Sequence, residues 1–278
     1  MSPPAPTDNP HFRSPLILPP ALPKIWQLSN HVTFIEDMLI DRVIQPLQDR
    51  ALSAVVFDLD GTLCHYAINI ERAMADALQH GGASVSLIGD LSLAADRYAD
   101  LWYELQEDRD STTSLRERIW ISLLSEHGID DNELAHRLSD VYIALRTESL
   151  VLIDGVVPLL KDLREKYTLG LLTNGPSDMQ WEKIKLLGLE GYFDTIIVSG
   201  DVGIHKPDPR LFARLLQVVN APADKALYVG NSYEMDIIGA NDAGMFSVWV
   251  NPDGEEEPQE RIADDIITDV TELRGILL

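Results

Sequence analysis

The stretch AVVFDLDGT, residues 54–62, is the part of the sequence that decides the fold. Four apolar residues, including two β-branched valines, lead into Asp58, which is typical of a buried strand. Asp60 follows two residues later, and Gly61 then allows the chain to turn. Two carboxylates at the end of a strand can both face a crevice, where one attacks as a nucleophile and the other transfers a proton. Carboxylates this close also call for a cation between them.

Four more apolar runs of similar length predict further strands, and helical patterns separate them. The predicted strands cover 169–172, 195–198, 226–229 and 247–250, and the helical patterns cover 156–166, 177–188, 208–219 and 234–243. Strands that alternate with helices at this spacing indicate a parallel sheet with helices on both faces. We therefore expect an α/β, Rossmann-like fold, which binds its ligands at the carboxyl ends of the strands.

Two segments fall outside this alternation. Residues 66–150 show helical periodicity without a convincing strand, which indicates an all-helical cap inserted after the first strand. Residues 1–23 contain eight prolines, and an amphipathic pattern runs from Ile25 to Leu47. This pattern favours a helix that packs on the protein's own core, with a partner-binding helix as the alternative. We thus predict three parts: an extension (1–50), an α/β core (51–65 and 151–278) and a helical cap (66–150).

The composition bounds the class of protein. The chain has 278 residues, of which 45% are apolar, and 22 basic against 45 acidic residues give a net charge of −23. Such a charge repels a phosphate backbone, which argues against a nucleic-acid polymer as partner. No apolar run is long enough for a membrane span, the N-terminal stretch does not resemble a signal peptide, and Cys64 is the single cysteine. We expect a cytoplasmic protein with no membrane partner; its oligomeric state stays open.

Three more polar motifs each follow a predicted strand. The segment TNG at 173–175 offers a hydroxyl and backbone N–H groups that suit a phosphate. Lys206, which begins the segment KPDP, supplies a cation for carboxylates and phosphate. The segment GNSYEMD at 230–236 contains Asn231 and Asp236, oxygen ligands of the kind that Mg²⁺ prefers. Each motif alone is more often a turn, a loop or a helix cap, but all four in order favour a functional site.

These motifs resemble those of the haloacid dehalogenase-like hydrolase superfamily, and in particular of its aspartate-nucleophile phosphatases. The four motifs of that family correspond here to 58–62, Thr173, Lys206 and 230–236. The resemblance covers about 54–278, and the helical insert resembles the helical type of cap in that family. Residues 1–50 have no counterpart in the pattern.

The resemblance implies a catalytic role for each core motif. Asp58 would attack phosphorus and carry the phosphoryl group. Asp60 would protonate the leaving alcohol and then deprotonate the water that releases phosphate. Thr173, the backbone of Asn174 and Lys206 would hold the phosphoryl group, whose charge must be neutralised for the displacement to proceed.

The resemblance also implies a Mg²⁺ cofactor. One carboxylate oxygen of Asp58 and the backbone carbonyl of Asp60 would bind the ion together with the fourth motif. That motif usually starts with Gly-Asp in the family, whereas this chain has Asn231 at the second position. An amide is a neutral and weaker ligand than a carboxylate, and Asp236 could compensate directly or through water.

We therefore expect a Mg²⁺-dependent phosphomonoesterase of a small phosphorylated metabolite, either a nucleoside monophosphate or a sugar phosphate. A 2-haloacid dehalogenase is disfavoured by Asp60, because displacement of halide needs no proton donor. A phosphonate hydrolase would need a Schiff-base lysine in the cap, and residues 66–150 contain no lysine. The remaining alternative is a catalytically weak regulatory or binding protein of the same fold, in which Asn231 impairs metal binding.

Substrate choice should lie in the cap, since the core handles only the phosphoryl group. Seven polar or aromatic residues in or next to the cap are within reach of a substrate in this arrangement: His65, Tyr66, Trp102, Tyr103, Arg109, Arg116 and Arg118. Aromatic residues at helical spacing are more often part of a hydrophobic core, which is the competing interpretation for three of them.

Overall fold

A computed structural model of the chain describes residues 46–105, 113–256, 258 and 262–278. The predicted extension lies outside the described residues up to position 45, and so does Arg109. The backbone of Tyr103 is described but its side chain is not.

The strands of the α/β core form a parallel sheet in the order β5-β4-β1-β6-β7-β8. The described strands are β1 (Ala54–Phe57), β2 (Cys64–Tyr66), β3 (Leu150–Leu152), β4 (Thr168–Thr173), β5 (Thr195–Val198), β6 (Ala226–Gly230), β7 (Phe246–Val250) and β8 (Asp265–Ile267). All five strands predicted for the sheet are present, with ends that differ by at most one residue. The three-residue strands β2, β3 and β8 escaped prediction because so short a run carries no measurable periodicity.

Strand β1 lies in the middle of the sheet and is buried on both faces. All four of its residues are inaccessible to solvent. Val55 and Phe57 pack into the hydrophobic core on one face of the sheet, whereas Ala54 and Val56 pack into the core on the other. A strand covered on both sides has no polar face, which explains why its sequence is a continuous apolar run. The predicted α/β, Rossmann-like fold is confirmed.

The helices of the described residues follow the predicted alternation, with one correction. They are α1 (Ile70–His80), α2 (Leu91–Leu105), α3 (Leu115–Glu126), α4 (Asn132–Glu148), α5 (Val156–Arg164), α6 (Ser177–Leu186), α7 (Ser199–Val202), α8 (Pro209–Val218), α9 (Gly239–Asp242) and α10 (Leu273–Leu277). The single helix predicted over 234–243 is instead a π-helical turn, Tyr233–Ile238, followed by α9. Across the described ranges, no helix combines the length and the apolar character that crossing a membrane requires.

Helices α1–α4 pack around a hydrophobic core of their own, which includes Met74, Ile119 and Leu138. Strands β2 and β3 pair antiparallel where the chain enters and leaves this helical segment. The two connections between the helical segment and the sheet therefore run side by side. The division into a core of 51–65 and 151–278 and a cap of 66–150 remains our proposal for the domains, with this two-stranded ribbon at both of its borders.

Candidate active site

The carboxyl ends of β1, β4 and β6 meet at one edge of the sheet, and the loops that follow them enclose a pocket of about 310 Å³. Parallel neighbouring strands end on the same side, so segments far apart in sequence come together there. All seven residues predicted for the site line this pocket: Asp58, Asp60, Thr173, Asn174, Lys206, Asn231 and Asp236. Trp102 of helix α2 also borders it, so the cap contributes to the pocket.

The floor of the pocket is a buried charge cluster of Asp58, Lys206, Tyr228 and Asp236, which we call the inner cluster. The Lys206 ammonium lies 2.6 Å from a carboxylate oxygen of Asp58 and 2.6 Å from one of Asp236. It also donates to the Tyr228 hydroxyl at 3.1 Å. Burial alone would lower the pKa of Lys206, but Asp236 and Asp58 outweigh it and raise that pKa, so the lysine stays charged.

Two carboxylates share one ammonium in the inner cluster, and this excess of negative charge affects Asp58. Burial raises the pKa of Asp58 to about 7, Lys206 opposes the shift, and Asp236 and Asp60 add to it. A nucleophilic carboxylate must be ionised, and in this cluster a further cation would favour that form. The electrostatics of the pocket therefore suit a metal ion next to Asp58.

The rim of the pocket holds a second charge cluster, Asp60 with Gln180 and Lys183 of helix α6, which we call the outer cluster. The Lys183 ammonium lies 2.8 and 2.9 Å from the two carboxylate oxygens of Asp60. The amide nitrogen of Gln180 donates to Asp60 at 2.9 Å and to the Thr173 hydroxyl at 2.6 Å. Burial would lower the pKa of Lys183, but Asp60 outweighs it and raises that pKa.

Sequence reasoning missed Gln180 and Lys183. Their spacing could have pointed to them. Residues three positions apart lie on the same face of a helix, and this helix begins just after the second motif. Gln180 is almost fully buried, which is unusual for a glutamine and marks it as a hydrogen-bonding residue. The structure thus gives Asp60, the predicted acid–base residue, two partners of its own.

Asn174 has a part in the site that its predicted backbone role did not include. Its side chain accepts a hydrogen bond from the Lys206 backbone N–H at 2.9 Å and donates to the Lys206 carbonyl at 3.1 Å. The next residue, Gly175, donates its backbone N–H to the Ser199 hydroxyl, which also contacts His205. These bonds join the loop after β4 to the loop that carries Lys206, and so hold the ammonium in place.

The residues predicted for the metal lie on facing loops. The Thr62 hydroxyl is 3.4 Å from the side-chain oxygen of Asn231, and a β-carbon at Gly61 would lie only 2.5 Å from the amide nitrogen of Asn231. Gly61 also has a φ of +79°, a conformation that favours glycine. Asp236 is buried, with one oxygen accepting from Lys206 and the other from the Ser232 backbone N–H at 3.0 Å.

This donor set consists of carboxylate, amide and carbonyl oxygens, which fits a hard cation such as Mg²⁺. Within the described residues, no three or more His, Cys, Asp and Glu side chains form a group able to hold a metal. The amide of Asn231 and the backbone carbonyl of Asp60 would therefore be needed as ligands beside Asp58. The ligand assignment stays a prediction.

A second cavity, of about 320 Å³, extends from Asp60 into the cap. Three residues predicted to reach a substrate line it: Tyr66, Trp102 and Arg116. His65 instead lines a neighbouring cleft, and Arg118 is absent from the described residues that line either space. Arg146, which sequence reasoning missed, also lines this cavity, one helical turn after Tyr142 on helix α4.

Comparison with known proteins agrees with this geometry. Residues 52–244 match the family of haloacid dehalogenase-like hydrolases. A glyceraldehyde 3-phosphate phosphatase from Methanopyrus kandleri is 31% identical over 217 residues, which cover 77% of this chain and 91% of that protein.

Two solved structures share the fold over most of the chain. The putative HAD-hydrolase YfnB from Bacillus subtilis, in a form bound to magnesium, has a TM-score of 0.63 and 26% identity, and covers 82% of this chain and 99% of its own. A 2-haloacid dehalogenase from Pseudomonas syringae pv. Tomato has a TM-score of 0.58 and 28% identity, and covers 81% of this chain and 97% of its own. Since the family match spans well over half of the 278 residues, the chain belongs to the haloacid dehalogenase-like hydrolases.

Proposed function

We propose that this protein is a Mg²⁺-dependent phosphomonoesterase that hydrolyses a small phosphorylated metabolite through a phosphoaspartate on Asp58. Its phosphatase activity follows from its relatives, among them the phosphatase of Methanopyrus kandleri. The observation that carries the mechanism is the presence of two carboxylates in one pocket, each held by a different lysine. One is buried beside Lys206, and the other lies at the rim where a leaving group departs.

The reaction would take place in two displacements. A carboxylate oxygen of Asp58 attacks phosphorus and the bond to the ester oxygen breaks. Asp60, which pairs with Lys183 as a carboxylate in the free protein and would take up a proton from solvent as substrate binds, gives that proton to the departing alcohol. Asp60, now ionised, takes a proton from water, whose oxygen attacks phosphorus and frees the Asp58 carboxylate with release of phosphate. Each group is thereby returned to its starting form.

The remaining residues would hold the transferring group. The Thr173 hydroxyl, the backbone of Asn174 and the Lys206 ammonium would donate to phosphoryl oxygens. Asp58, the Asp60 carbonyl, Asn231 and, directly or through water, Asp236 would hold Mg²⁺. When bound, the ion supplies positive charge that offsets the carboxylates and the phosphoryl oxygens.

The substrate we propose is a sugar phosphate or a nucleoside monophosphate. The Methanopyrus kandleri relative supports a small sugar phosphate as the first compound to test. A nucleic-acid polymer is disfavoured by the net charge of −23. The cytoplasmic location stays a prediction.

The test is phosphate release from a panel of phosphorylated metabolites, with Mg²⁺ and with a chelator. We expect turnover only with the metal. Asp58→Asn should lower it by at least about 10³-fold, because a neutral amide cannot attack phosphorus. Asp130→Asn is the matched control, since Asp130 is exposed in a cap loop. Turnover of Asp58→Asn within tenfold of wild type would rule out the mechanism.

The same protein should also be assayed with 2-haloacids, because one structural relative is a 2-haloacid dehalogenase. We expect no release of halide, since Asp60 serves a leaving group that needs a proton. Release of halide without release of phosphate would replace the proposed reaction with dehalogenation.

A further inference from the structure

The cavity of about 320 Å³ between cap and core carries an unusual pair of charges. Arg116 of helix α3 and Arg146 of helix α4 line it from the cap, and both are half-buried. On the opposite side the cavity reaches Asp60 and Lys183 of the outer cluster. The cavity can therefore receive the part of a bound substrate that lies beyond the phosphoryl group.

Several arginines elsewhere in the described part of this acidic chain pair with a carboxylate. Six of them form ion pairs with aspartate or glutamate: Arg72, Arg97, Arg137, Arg164, Arg210 and Arg274. Arg116 and Arg146 form no ion pair with a carboxylate among the described residues, and unlike Arg214, which is also unpaired there, they are half-buried rather than exposed. Acidic residues outnumber basic ones by 45 to 22, so a shortage of carboxylates does not explain this difference.

The guanidinium of Arg146 is held in place without being neutralised. It lies 3.4 Å from the ring centre of Tyr66 and donates to the Ile68 carbonyl at 2.6 Å. Neither contact removes its positive charge. A guanidinium has five N–H donors, so donors remain for a ligand.

Arg116 lies near two buried tyrosines that line the same cavity. The rings of Tyr98 and Tyr142 are 4.9 Å apart, and the charge of Arg116 acts on both hydroxyls. Burial raises the pKa of Tyr98 and of Tyr142, so both side chains stay uncharged. The cavity wall thus combines two cations with uncharged tyrosines.

A half-buried cation that has lost part of its hydration is stabilised by an anion, and a guanidinium binds carboxylate or phosphate oxygens in a bidentate manner. We propose that this cavity is an anion subsite, which binds a second negatively charged group, a carboxylate or another phosphate, at the substrate's far end from the transferred phosphoryl group. This inference rests on the proposed function, because it places the reacting phosphate beside Asp58. Among small phosphate esters it favours those that carry a second acidic group, such as a sugar bisphosphate, over singly acidic ones such as a nucleoside monophosphate.

Matched pairs of substrates test the inference. The first pair is 3-phosphoglycerate and glycerol 3-phosphate, which have the same number of carbons and differ in a carboxylate. The second pair is fructose 1,6-bisphosphate and fructose 6-phosphate, which differ in a phosphate. We expect wild type to favour the doubly acidic member of at least one pair by about tenfold or more in kcat/KM. The pair that shows the preference identifies the anion as carboxylate or phosphate.

Substitutions of the two arginines test whether they cause the preference for doubly acidic substrates. Arg116→Gln and Arg146→Gln should each lower kcat/KM for the doubly acidic substrate by about 10- to 100-fold, and for its singly acidic partner by less than about threefold. Arg137→Gln is the matched control on helix α4, because that arginine pairs with Glu133 on the exposed surface. Arg146→Lys, which keeps the charge, should restore part of the preference if Arg146→Gln perturbs the fold. Equal loss for both substrates in each variant, or no preference in wild type, would overturn the anion subsite.

Failure of the proposed function can be told apart from failure of the subsite. If folded wild type releases phosphate from no compound, including p-nitrophenyl phosphate, the proposed reaction is wrong. Calorimetric binding of 3-phosphoglycerate and glycerol 3-phosphate to the Asp58→Asn protein then decides on the subsite without turnover, with the sugar phosphate pair measured alongside. Tighter binding of a doubly acidic compound that is lost in Arg116→Gln supports the subsite, whereas equal binding within both pairs refutes it.

Discussion

The inner and outer clusters contain the same pair of groups, a lysine and an aspartate that we propose as catalytic, in different surroundings. The Asp58 side chain is 9% exposed and the Lys206 side chain 3%, whereas Asp60 is 37% and Lys183 12% exposed. In the inner cluster Lys206 faces a second carboxylate, Asp236, so negative charge is in excess. In the outer cluster the single ion pair is balanced.

This difference fits two different tasks. A nucleophilic carboxylate needs a fixed position and a cation that offsets its negative charge. A buried cluster with an excess of negative charge holds the carboxylate in place and attracts such a cation. A proton donor must exchange its proton with a leaving group and with water, which requires access to the pocket. In the proposed mechanism, exposure and charge balance, rather than residue type, separate the roles of two aspartates two residues apart.

After Asp58→Asn, the largest effect should come from the outer cluster's carboxylate. Asp60→Asn should slow esters with poor leaving groups, such as sugar phosphates, by about 10²–10⁴-fold, because the departing alcohol lacks its proton donor. Aryl phosphates with activated leaving groups should fall much less. Steady-state rates for both classes give the measurement. If both fall by the same factor, Asp60 does not donate that proton or a later step limits both.

The two lysines should differ sharply in their contribution to stability. Lys206→Met leaves Asp58 and Asp236 buried without a cation, which should cost roughly 3–5 kcal/mol of unfolding free energy. Lys183→Met leaves a partly exposed Asp60 that keeps Gln180, and should cost roughly 1 kcal/mol or less. Urea denaturation of both variants in chelator at pH 8 measures the difference. Equal losses would mean that the two clusters are not distinct in burial.

The raised pKa of Asp58 predicts a pH dependence of stability in the absence of metal. The native state binds the Asp58 proton below about pH 7, whereas the unfolded chain binds it only below about 3.8. The native state thus binds more protons in this window, and the contribution of Asp58 to stability falls as pH rises through it. The Asp58→Asn side chain is neutral at every pH and does not lose stability in this way. In chelator at pH 8 the variant should therefore have a free energy of unfolding higher than that of wild type by on the order of 2 kcal/mol.

The gap between Asp58→Asn and wild type should close as pH falls from 8 to 5, since both side chains are then neutral. Thermal or urea unfolding across this range measures it, with Asp130→Asn as the exposed control. A wild type that is more stable than Asp58→Asn at pH 8 in chelator would show that Lys206 compensates the buried charge in full.

The smallest effect concerns the amide in the proposed metal site. Asn231→Asp adds a charged ligand of nearly the same shape, and should lower the Mg²⁺ concentration for half-maximal activity by roughly 3- to 10-fold. Wild type should also accept Mn²⁺ or Co²⁺, which bind such sites more tightly. Asn132→Asp, at an exposed position of helix α4, is the control. An unchanged metal requirement would assign the ion to ligands other than residue 231.

Much of the fold was predictable because its signals are local. A strand buried on both faces is a continuous apolar run, and all five such runs appear as strands of the sheet. The pocket was predictable for a related reason, since the carboxyl ends of neighbouring parallel strands meet at one edge. The ribbon of β2 and β3 was not, because three-residue strands are too short for a periodic signal.

The partners of the charged groups were not predictable in the same way. Lys183 lies 123 residues from Asp60, and nothing in the local sequence of either residue records the other. From the sequence alone, Arg146 is an ordinary polar residue on a predicted cap helix. Its position in the cavity depends on how α3, α4 and the ribbon of β2 and β3 pack.

The sequence by itself determined the strands and the four motifs, and it predicts Asp58 and Asp60 as the catalytic pair. These depend on hydrophobic periodicity and on residues within a few positions of each other. Only the tertiary structure decided which lysine meets which aspartate, that Asp58 is buried in an excess of negative charge, and that Arg116 and Arg146 line one cavity without a carboxylate partner among the described residues. The reason is physical: pairing and burial of charge are set by distances between distant segments, and those distances exist only after the sheet and the cap have packed.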